Sequence, residues 1–328
     1  MGEFELIRRH FTRRVVRADL GVGDDCALIT PRAGHQLAVS TDLLVEGQHF
    51  FPTVDPFTLG YKSLAVNLSD LAACGAQPLA FTLALSFSKA DDVWLEAFAK
   101  GLFALADAHH CELVGGDTTR GPLTIAITVF GEIPLAGQAS QALLRSGAQA
   151  GDDIYVSGHL GDARLALLAL QEKVDLPPAA LQHARQRLEC PTPRVELGLH
   201  LRGLASAAID LSDGLMGDLG HVLSQSGLGA TLIAGAVLGT VSARHTYPDL
   251  NLTSQQWLEL ALTGGDDYVL LVTASPDKRQ LVAQASLASR TPVQRIGSIK
   301  PGQGIQVLDA SGSALKTAYA SFDHFASP

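Results

Sequence analysis

Five aspartate-bearing segments share one local design, and together they restrict this chain more than any other feature. They are Gly21-Val22-Gly23-Asp24-Asp25-Cys26, Ser40-Thr41-Asp42, Asn67-Leu68-Ser69-Asp70, Gly115-Gly116-Asp117-Thr118-Thr119 and Asp210-Leu211-Ser212-Asp213-Gly214. Each sets a carboxylate beside glycine or a small hydroxyl residue at the end of an apolar run. Hard oxygen donors of this kind suit Mg2+, which is held by a few carboxylates together with substrate phosphates. If the carboxylates converge, each close pair repels by several kcal/mol even at an effective dielectric constant of about 20. Convergence therefore requires cations. A single such segment reads equally well as a turn or a helix N-cap, whereas five in one chain favour a site for metal and phosphate. Gly115–Arg120 adds two hydroxyls and a guanidinium to its carboxylate, and Asp213-Gly214 opens a helix whose N-terminal amides favour an anion.

The chain is long enough to bury cores for two domains, at 328 residues against roughly 100–200 per domain. Hydrophobic residues make up 47% and charged residues 17%, which describes a packed protein rather than a disordered one. Lys and Arg number 24 against 33 Asp and Glu, a net charge of −9, so nucleic acid and anionic membrane are not expected partners. Cys26, Cys74, Cys111 and Cys190 include no Cys-x-x-Cys pair and read as reduced, mostly core residues. The start, Met1–Arg9, lacks the apolar run of a secretion signal, which predicts a cytoplasmic protein. Two uncharged stretches, Leu71–Ser88 and Gly227–Ala243, approach the roughly 20 residues that span a bilayer. Gly75 and Pro78 break the first into helix end, turn and strand; Gly229, Gly235 and Gly239 break the second.

Strand and helix patterns alternate along both halves, so the fold class is α/β and α+β. A short strand around Val39 is expected to end at Ser40-Thr41-Asp42. Asp55-Pro56 then supplies an N-cap and a first-turn proline for a helix to about Cys74. On that helix Leu64, Leu68 and Leu71 form a buried stripe, while Ser63, Asn67 and Asp70 share another face. A strand near 79–87, a helix over 92–108 and a strand over 123–130 follow, with Glu112-Leu113-Val114 running into the Gly-Gly-Asp segment. Gly131–Gly151 reads as the domain junction. In the second half, strands are expected at 154–157, 207–209, 268–273 and 293–299, with helices around 162–173, 179–188, 194–204 and after Gly214. No Gly-x-x-x-x-Gly-Lys loop, Gly-x-Gly-x-x-Gly fingerprint, kinase catalytic loop or Gly-x-Ser-x-Gly elbow is present, so a nucleotide must be held by other means.

Taken in order, Gly2–Ile7, Gly21–Ala27, Ser40–Asp42 with Glu46–Phe50, Ala65–Ala72, Gly115–Pro122, Arg145–Ala148, Ile209–Gly214 and Phe322–Phe325 resemble the thiamine-monophosphate kinase family. Its superfamily also holds aminoimidazole ribonucleotide synthetase, selenophosphate synthetase and a hydrogenase-maturation protein. The resemblance implies an aminoimidazole ribonucleotide synthetase-like architecture: an N-terminal ATP/Mg-binding and dimerisation domain over 1–138, whose mixed sheet joins a partner's in a homodimer, and a C-terminal α+β domain over 139–328, with the active site in the cleft. It implies ATP-dependent conversion of thiamine monophosphate to thiamine diphosphate, with several Mg2+ ions and neither a covalent nucleophile nor a general base. By carry-over, Asp25, Ser40, Thr41, Asp42, Asp70, Asp117, Asp210 and Asp213 hold the metal. Gly116, Asp117, Arg145 and Ser212 contact ATP. His49, Asp266 and Tyr319 contact the thiamine phosphate. One departure stands out: where the family has Gly-Gly-Glu-Asp-Tyr-Glu, this chain has Gly264-Gly265-Asp266-Asp267-Tyr268-Val269, an acid one methylene shorter. A ligase-like synthetase of the same superfamily and a non-catalytic binder are the alternative readings.

Overall fold

The computed structural model describes residues 2–315; the expected acceptor contact Tyr319 and the Phe322–Phe325 segment lie outside them. The chain forms two compact units, Met1–Leu71 with Ala76–Gln141, and Ala72–Gly75 with Ala142–Pro328.

The first unit opens with helix α1 (Glu3–His10) and is built on strands β1 (His35–Val45), β2 (Gln77–Phe87), β3 (Glu112–Arg120), β4 (Thr124–Ala136) and the short β5 (Ala139–Ser140), with helices α2 (Pro56–Ala73) and α3 (Asp92–Ala108). The strand order is β1-β4-β2-β3, with β5 on β4. Only β2 and β3 run parallel. Asp55 caps α2 as its sequence implies, accepting from the Phe57 and Thr58 N–H groups at 3.0 and 3.1 Å. Leu64, Leu68 and Leu71 are buried. So are Ser63 and Asn67, because the polar stripe of α2 faces β1 rather than water.

Three boundaries differ from the sequence reading. Strand β1 does not stop at Asp42 but continues to Val45 in antiparallel register with β4. The Gly-Gly-Asp-Thr-Thr-Arg segment is not a loop after a strand; it is strand, paired in parallel with β2 up to Phe87↔Arg120. The residues from Gly131 that read as junction belong to β4 as far as Ala136. Neighbouring strands supplied partners for polar main chain that short-range pattern assigned to loops.

The sheet is covered on one face by α2 and α3 and largely open on the other. Paired residues share a face, so Leu37, Val39, Thr41 and Leu43 stand with Thr128 and Ala126 on the open side. The chain between α1 and β1 closes one end of it: Val15, Ala27 and Ile29 pack with Ala18, Leu79, Ala80, Val114 and Phe130. Two sheet carboxylates tie this segment down. Glu112 accepts from the N–H groups of Val16, Arg17 and Ala18 at 2.7–3.0 Å, and buried Glu132 holds Arg17 and Arg32.

The second unit carries the sheet β11-β8-β10-β6-β9-β7, antiparallel except for β11 on β8. Its strands are β6 (Asp153–Ser157), β7 (Ala207–Asp210), β8 (Gly229–Ile233), β9 (Leu270–Ala274), β10 (Val293–Lys300) and β11 (Ile305–Leu308). Helices α4 (Asp162–Leu170), α5 (Pro178–Glu189), α6 (Val195–Leu201), α7 (Leu215–Ser226), α8 (Ala234–Leu238), α9 (Ser242–Thr246), α10 (Ser254–Thr263) and α11 (Arg279–Ala288) surround it. The Gly227–Ala243 stretch becomes β8 and two short helices, and no helix among the described residues is long and apolar enough to cross a membrane. All four cysteines are free thiols, but only Cys111 is buried; the mostly core expectation is corrected. Cys26 is exposed because its loop lies on the surface.

Candidate active site

In the first unit α2 and β1 bring three of the expected residues together. Ser40 Oγ donates a short hydrogen bond to Asp70 Oδ2. The Asp42 N–H donates to Asn67 Oδ1 at 3.1 Å, and Asn67 is held in turn by donation from its Nδ2 to the Ser63 carbonyl at 3.0 Å. The i, i+4, i+7 spacing of Ser63, Asn67 and Asp70 thus aligns with alternate residues of β1. Thr41 points to the other face, its Oγ1 2.8 Å from Thr128 Oγ1. Asp117 shares that open face through the register Leu43↔Ala126, Ala126↔Ala84 and Ala84↔Asp117, and it is exposed. Gly116, beside it, has φ +149°, and a Cβ there would meet the Leu83 carbonyl oxygen at 1.8 Å; only glycine lets β3 approach β2 this closely. Asp25 is exposed in the surface loop, where Asp24 Oδ1 accepts its N–H at 2.8 Å. His49 Nδ1 accepts the Val45 N–H at 3.1 Å, closing the turn after β1.

In the second unit two motifs more than fifty positions apart in sequence meet as main chain. The Asp266 N–H donates to the Ser212 carbonyl, the Tyr268 N–H to the Leu211 carbonyl and the Leu211 N–H to the Val269 carbonyl, each at 2.8 Å. Asp210–Gly214 and Gly264–Val269 are therefore one stapled pair of loops. Asp210 ends β7 with 5% exposure, and Ser212, Asp213 and Asp266 are half-buried. Arg145 is exposed on the segment beside β7, where the Ala208 N–H donates to the Leu144 carbonyl at 2.8 Å. Its positive charge reaches Asp218.

Two carboxylates that the sequence reading left without a role hold these loops. Asp218, buried in the first turn of α7, accepts from the Asp213 and Gly214 N–H groups through Oδ2, both at 3.1 Å. Burial, and then the charge of Asp213, push its carboxyl up to about 7. The signal was available: an acid four residues past the N-cap glycine reaches back to the helix start, a longer-range relative of the capping box. Asp267 accepts the Gly161 N–H at 3.1 and 3.0 Å through its two oxygens. Desolvation of that carboxyl, with Asp162 and Asp266 adding like charge, raises it well above the ordinary range. Asp162, 1% exposed at the start of α4, accepts the Ala243 N–H at 2.9 Å, and burial raises its carboxyl too.

Among the described residues, no three His, Cys, Asp or Glu side chains come together as a metal site. The donor set still fits Mg2+, since the carboxylates and hydroxyls of Ser40, Asp42 and Asp70, and the carboxylates of Asp210 and Asp213, are all hard oxygens. Mg2+ is ordinarily held by one or two carboxylates, water and substrate phosphates rather than by an all-protein cage.

Known proteins resemble this chain along its whole length. Residues 23–133 match the family described as AIR synthase related protein, N-terminal domain. The thiamine-monophosphate kinase of Salmonella typhimurium is 44% identical over 332 aligned positions, covering 100% of this chain and 99% of the relative. The crystal structure of thiamine-monophosphate kinase from Stenotrophomonas maltophilia superimposes with a TM-score of 0.82 at 44% identity, over 95% of this chain and 96% of that one. A structure of AaThiL complexed with AMPPCP and TMP superimposes with a TM-score of 0.75 at 28% identity, over 99% and 97%. Full-length identity at this level, on a shared two-unit fold, makes the chain a member of the thiamine-monophosphate kinase family.

Proposed function

We infer that this enzyme transfers the terminal phosphoryl group of ATP to thiamine monophosphate, releasing ADP and forming thiamine diphosphate. The carrying observation is the full-length likeness to thiamine-monophosphate kinases, supported by a neighbour solved with AMPPCP and TMP. The acceptor oxygen belongs to a phosphate whose second ionisation lies near pH 6, so it is already anionic at neutral pH and no base has to take its proton. The bond from the γ-phosphorus to its bridging oxygen breaks as the acceptor oxygen attacks in line.

Asp25, Ser40, Thr41, Asp42, Asp70 and Asp117 of the first unit, with Asp210 and Asp213 of the second, hold Mg2+ ions in this reading. When bound, those ions supply charge neutralisation for phosphates that otherwise repel. Gly116, Asp117, Arg145 and Ser212 bind ATP; the Arg145 guanidinium is charged at any working pH. His49 and Asp266 approach the thiamine phosphate, as does Tyr319. The N-terminal domain, residues 1–138, carries ATP and metal ligands and the dimer contact, and residues 139–328 form the C-terminal aminoimidazole ribonucleotide synthetase-like domain.

The dimer partner is a second copy of this chain, in the cytoplasm, on the β1 side of the open face of the first sheet, which leaves Gly116 and Asp117 on β3, at the opposite edge, to ATP and metal. There Leu37, Val39 and Leu43 are 44, 56 and 52% exposed on β1, an edge strand. An apolar, unpaired edge of that length is a liability unless covered.

The test is incubation of the purified protein with ATP, Mg2+ and thiamine monophosphate beside free thiamine. Thiamine diphosphate and ADP are expected from the monophosphate alone. Phosphorylation of another acceptor instead would favour a synthetase-like enzyme of the same fold, and binding without turnover would favour a regulator.

A further inference from the structure

The Gly264–Val269 loop contains two residues that need an explanation. Asp266 has φ +66° and Tyr268 φ +47°, a left-handed conformation that costs a non-glycine residue of order 1–3 kcal/mol and persists only where the surroundings over-determine it. Asp267 sits between them. On one side the loop is fixed by the Asp266 and Tyr268 N–H donations to the Ser212 and Leu211 carbonyls. On the other, both Asp267 oxygens engage the Gly161 N–H ahead of α4. The glycines leave no slack, since a Cβ on Gly265 would meet the Ser212 carbonyl oxygen at 2.5 Å and one on Gly264 the Leu260 carbonyl oxygen at 2.4 Å. Asp266 also has one methylene less reach than a glutamate would, so its aim follows closely the main chain that carries it.

We propose that Asp267 is a positioning residue: by clamping the strained loop to Gly161 it aims the neighbouring Asp266 carboxylate at the acceptor, and it acts on thiamine monophosphate binding only through Asp266. This rests on the reading of Asp266 as an acceptor-facing acid. Asp267 itself is spent on the α4 N-terminus and does not touch substrate. The ATP-side residues Asp210–Gly214, although stapled to this loop, have a clamp of their own in Asp218, which still holds them when Asp267 is replaced.

The experiment is steady-state kinetics on the full-length enzyme carrying Asp266→Ala, Asp267→Ala, Asp267→Asn and the Asp266→Ala/Asp267→Ala pair. Loss of the hydrogen bond that fixes the loop predicts a KM for thiamine monophosphate about tenfold higher in Asp267→Ala. The KM for ATP should stay within about twofold, and Asp267→Asn, whose amide oxygen still accepts the Gly161 N–H, should recover most of the loss. In the pair, the second substitution should add nothing to the effect of the first. Multiplying effects in the pair, or equal rises in both KM values, would overturn the proposal. So would an unchanged KM in both Asp267 variants while Asp266→Ala raises it. If Asp266→Ala itself leaves the acceptor KM unchanged, the reading of Asp266 is what fails. Should Asp267→Ala not fold, Asp267→Leu, close to aspartate in shape and without an acceptor, in the Asp266→Ala background gives the same comparison.

Discussion

Asp153 begins β6 with 2% exposure and lies between two arginines, 2.6 Å from Arg279 Nε and 2.8 Å from Arg295 Nη1. Burial alone would raise its carboxyl, but the hydrogen bonds and charges of Arg279 and Arg295 outweigh it and hold the group below the ordinary range. A carboxyl depressed in the folded state contributes stability above its unfolded pKa of about 3.9, and that contribution is lost as pH falls through the lower folded value. Asp153→Asn is therefore expected to lower the unfolding free energy at pH 7 by about 2 kcal/mol, less than for a fully buried pair because both arginines are half exposed. The difference from wild type should shrink toward pH 3 in urea titrations, and a constant gap would contradict an ionised Asp153. At the active site, Asp42→Asn and Asp117→Asn should each lower turnover about 100-fold or more, as removing a central electrostatic group does elsewhere. Mild effects from both in the kinase assay would undo their place among the metal ligands.

Helices α2 and α3 meet through glycine. A Cβ on Gly60 would sit 2.0 Å from the Phe98 carbonyl oxygen, and one on Gly101 would sit 1.8 Å from the Phe57 carbonyl oxygen. The two contacts are reciprocal and both involve main chain, which cannot swing aside. Gly101→Ala should therefore cost about 3 kcal/mol despite its better helix propensity, because overpacking outweighs the roughly 1 kcal/mol gained; a thermal melt equal to wild type would sink this. The helices expected over 92–108 and around 179–188 formed as Asp92–Ala108 and Pro178–Glu189. Helices α8 to α11 and strands β8 and β11 were not expected, being short segments whose patterns mean little until the six-stranded sheet gives them something to cover.

For the whole molecule, the proposed dimer places a second copy on the open face of the first sheet, along β1. A carboxylate at Val39 or Leu43 would be buried against a second copy, so Val39→Glu and Leu43→Glu should convert a dimer to a monomer in light-scattering chromatography without lowering the melting temperature of the isolated chain. A wild-type protein that is monomeric at micromolar concentration would refute the dimer directly.

The sequence by itself determined which side chains are available for phosphate and metal. The five aspartate segments stood out as candidates because five carboxylates beside glycine or small hydroxyl residues in one chain favour metal and phosphate over five separate turns, and the family resemblance added Arg145 and Gly264–Val269. It also determined the helix over 56–73, through Asp55, Pro56 and the leucine stripe. Tertiary structure alone decided which of these residues meet. Ser40 and Asp42 face α2 while Thr41 and Asp117 take the opposite side, because strand register assigns faces and register is a property of pairs rather than of one segment. Likewise, Asp267 gained its partner, the Gly161 N–H, from a segment 106 positions away that no local spacing announces.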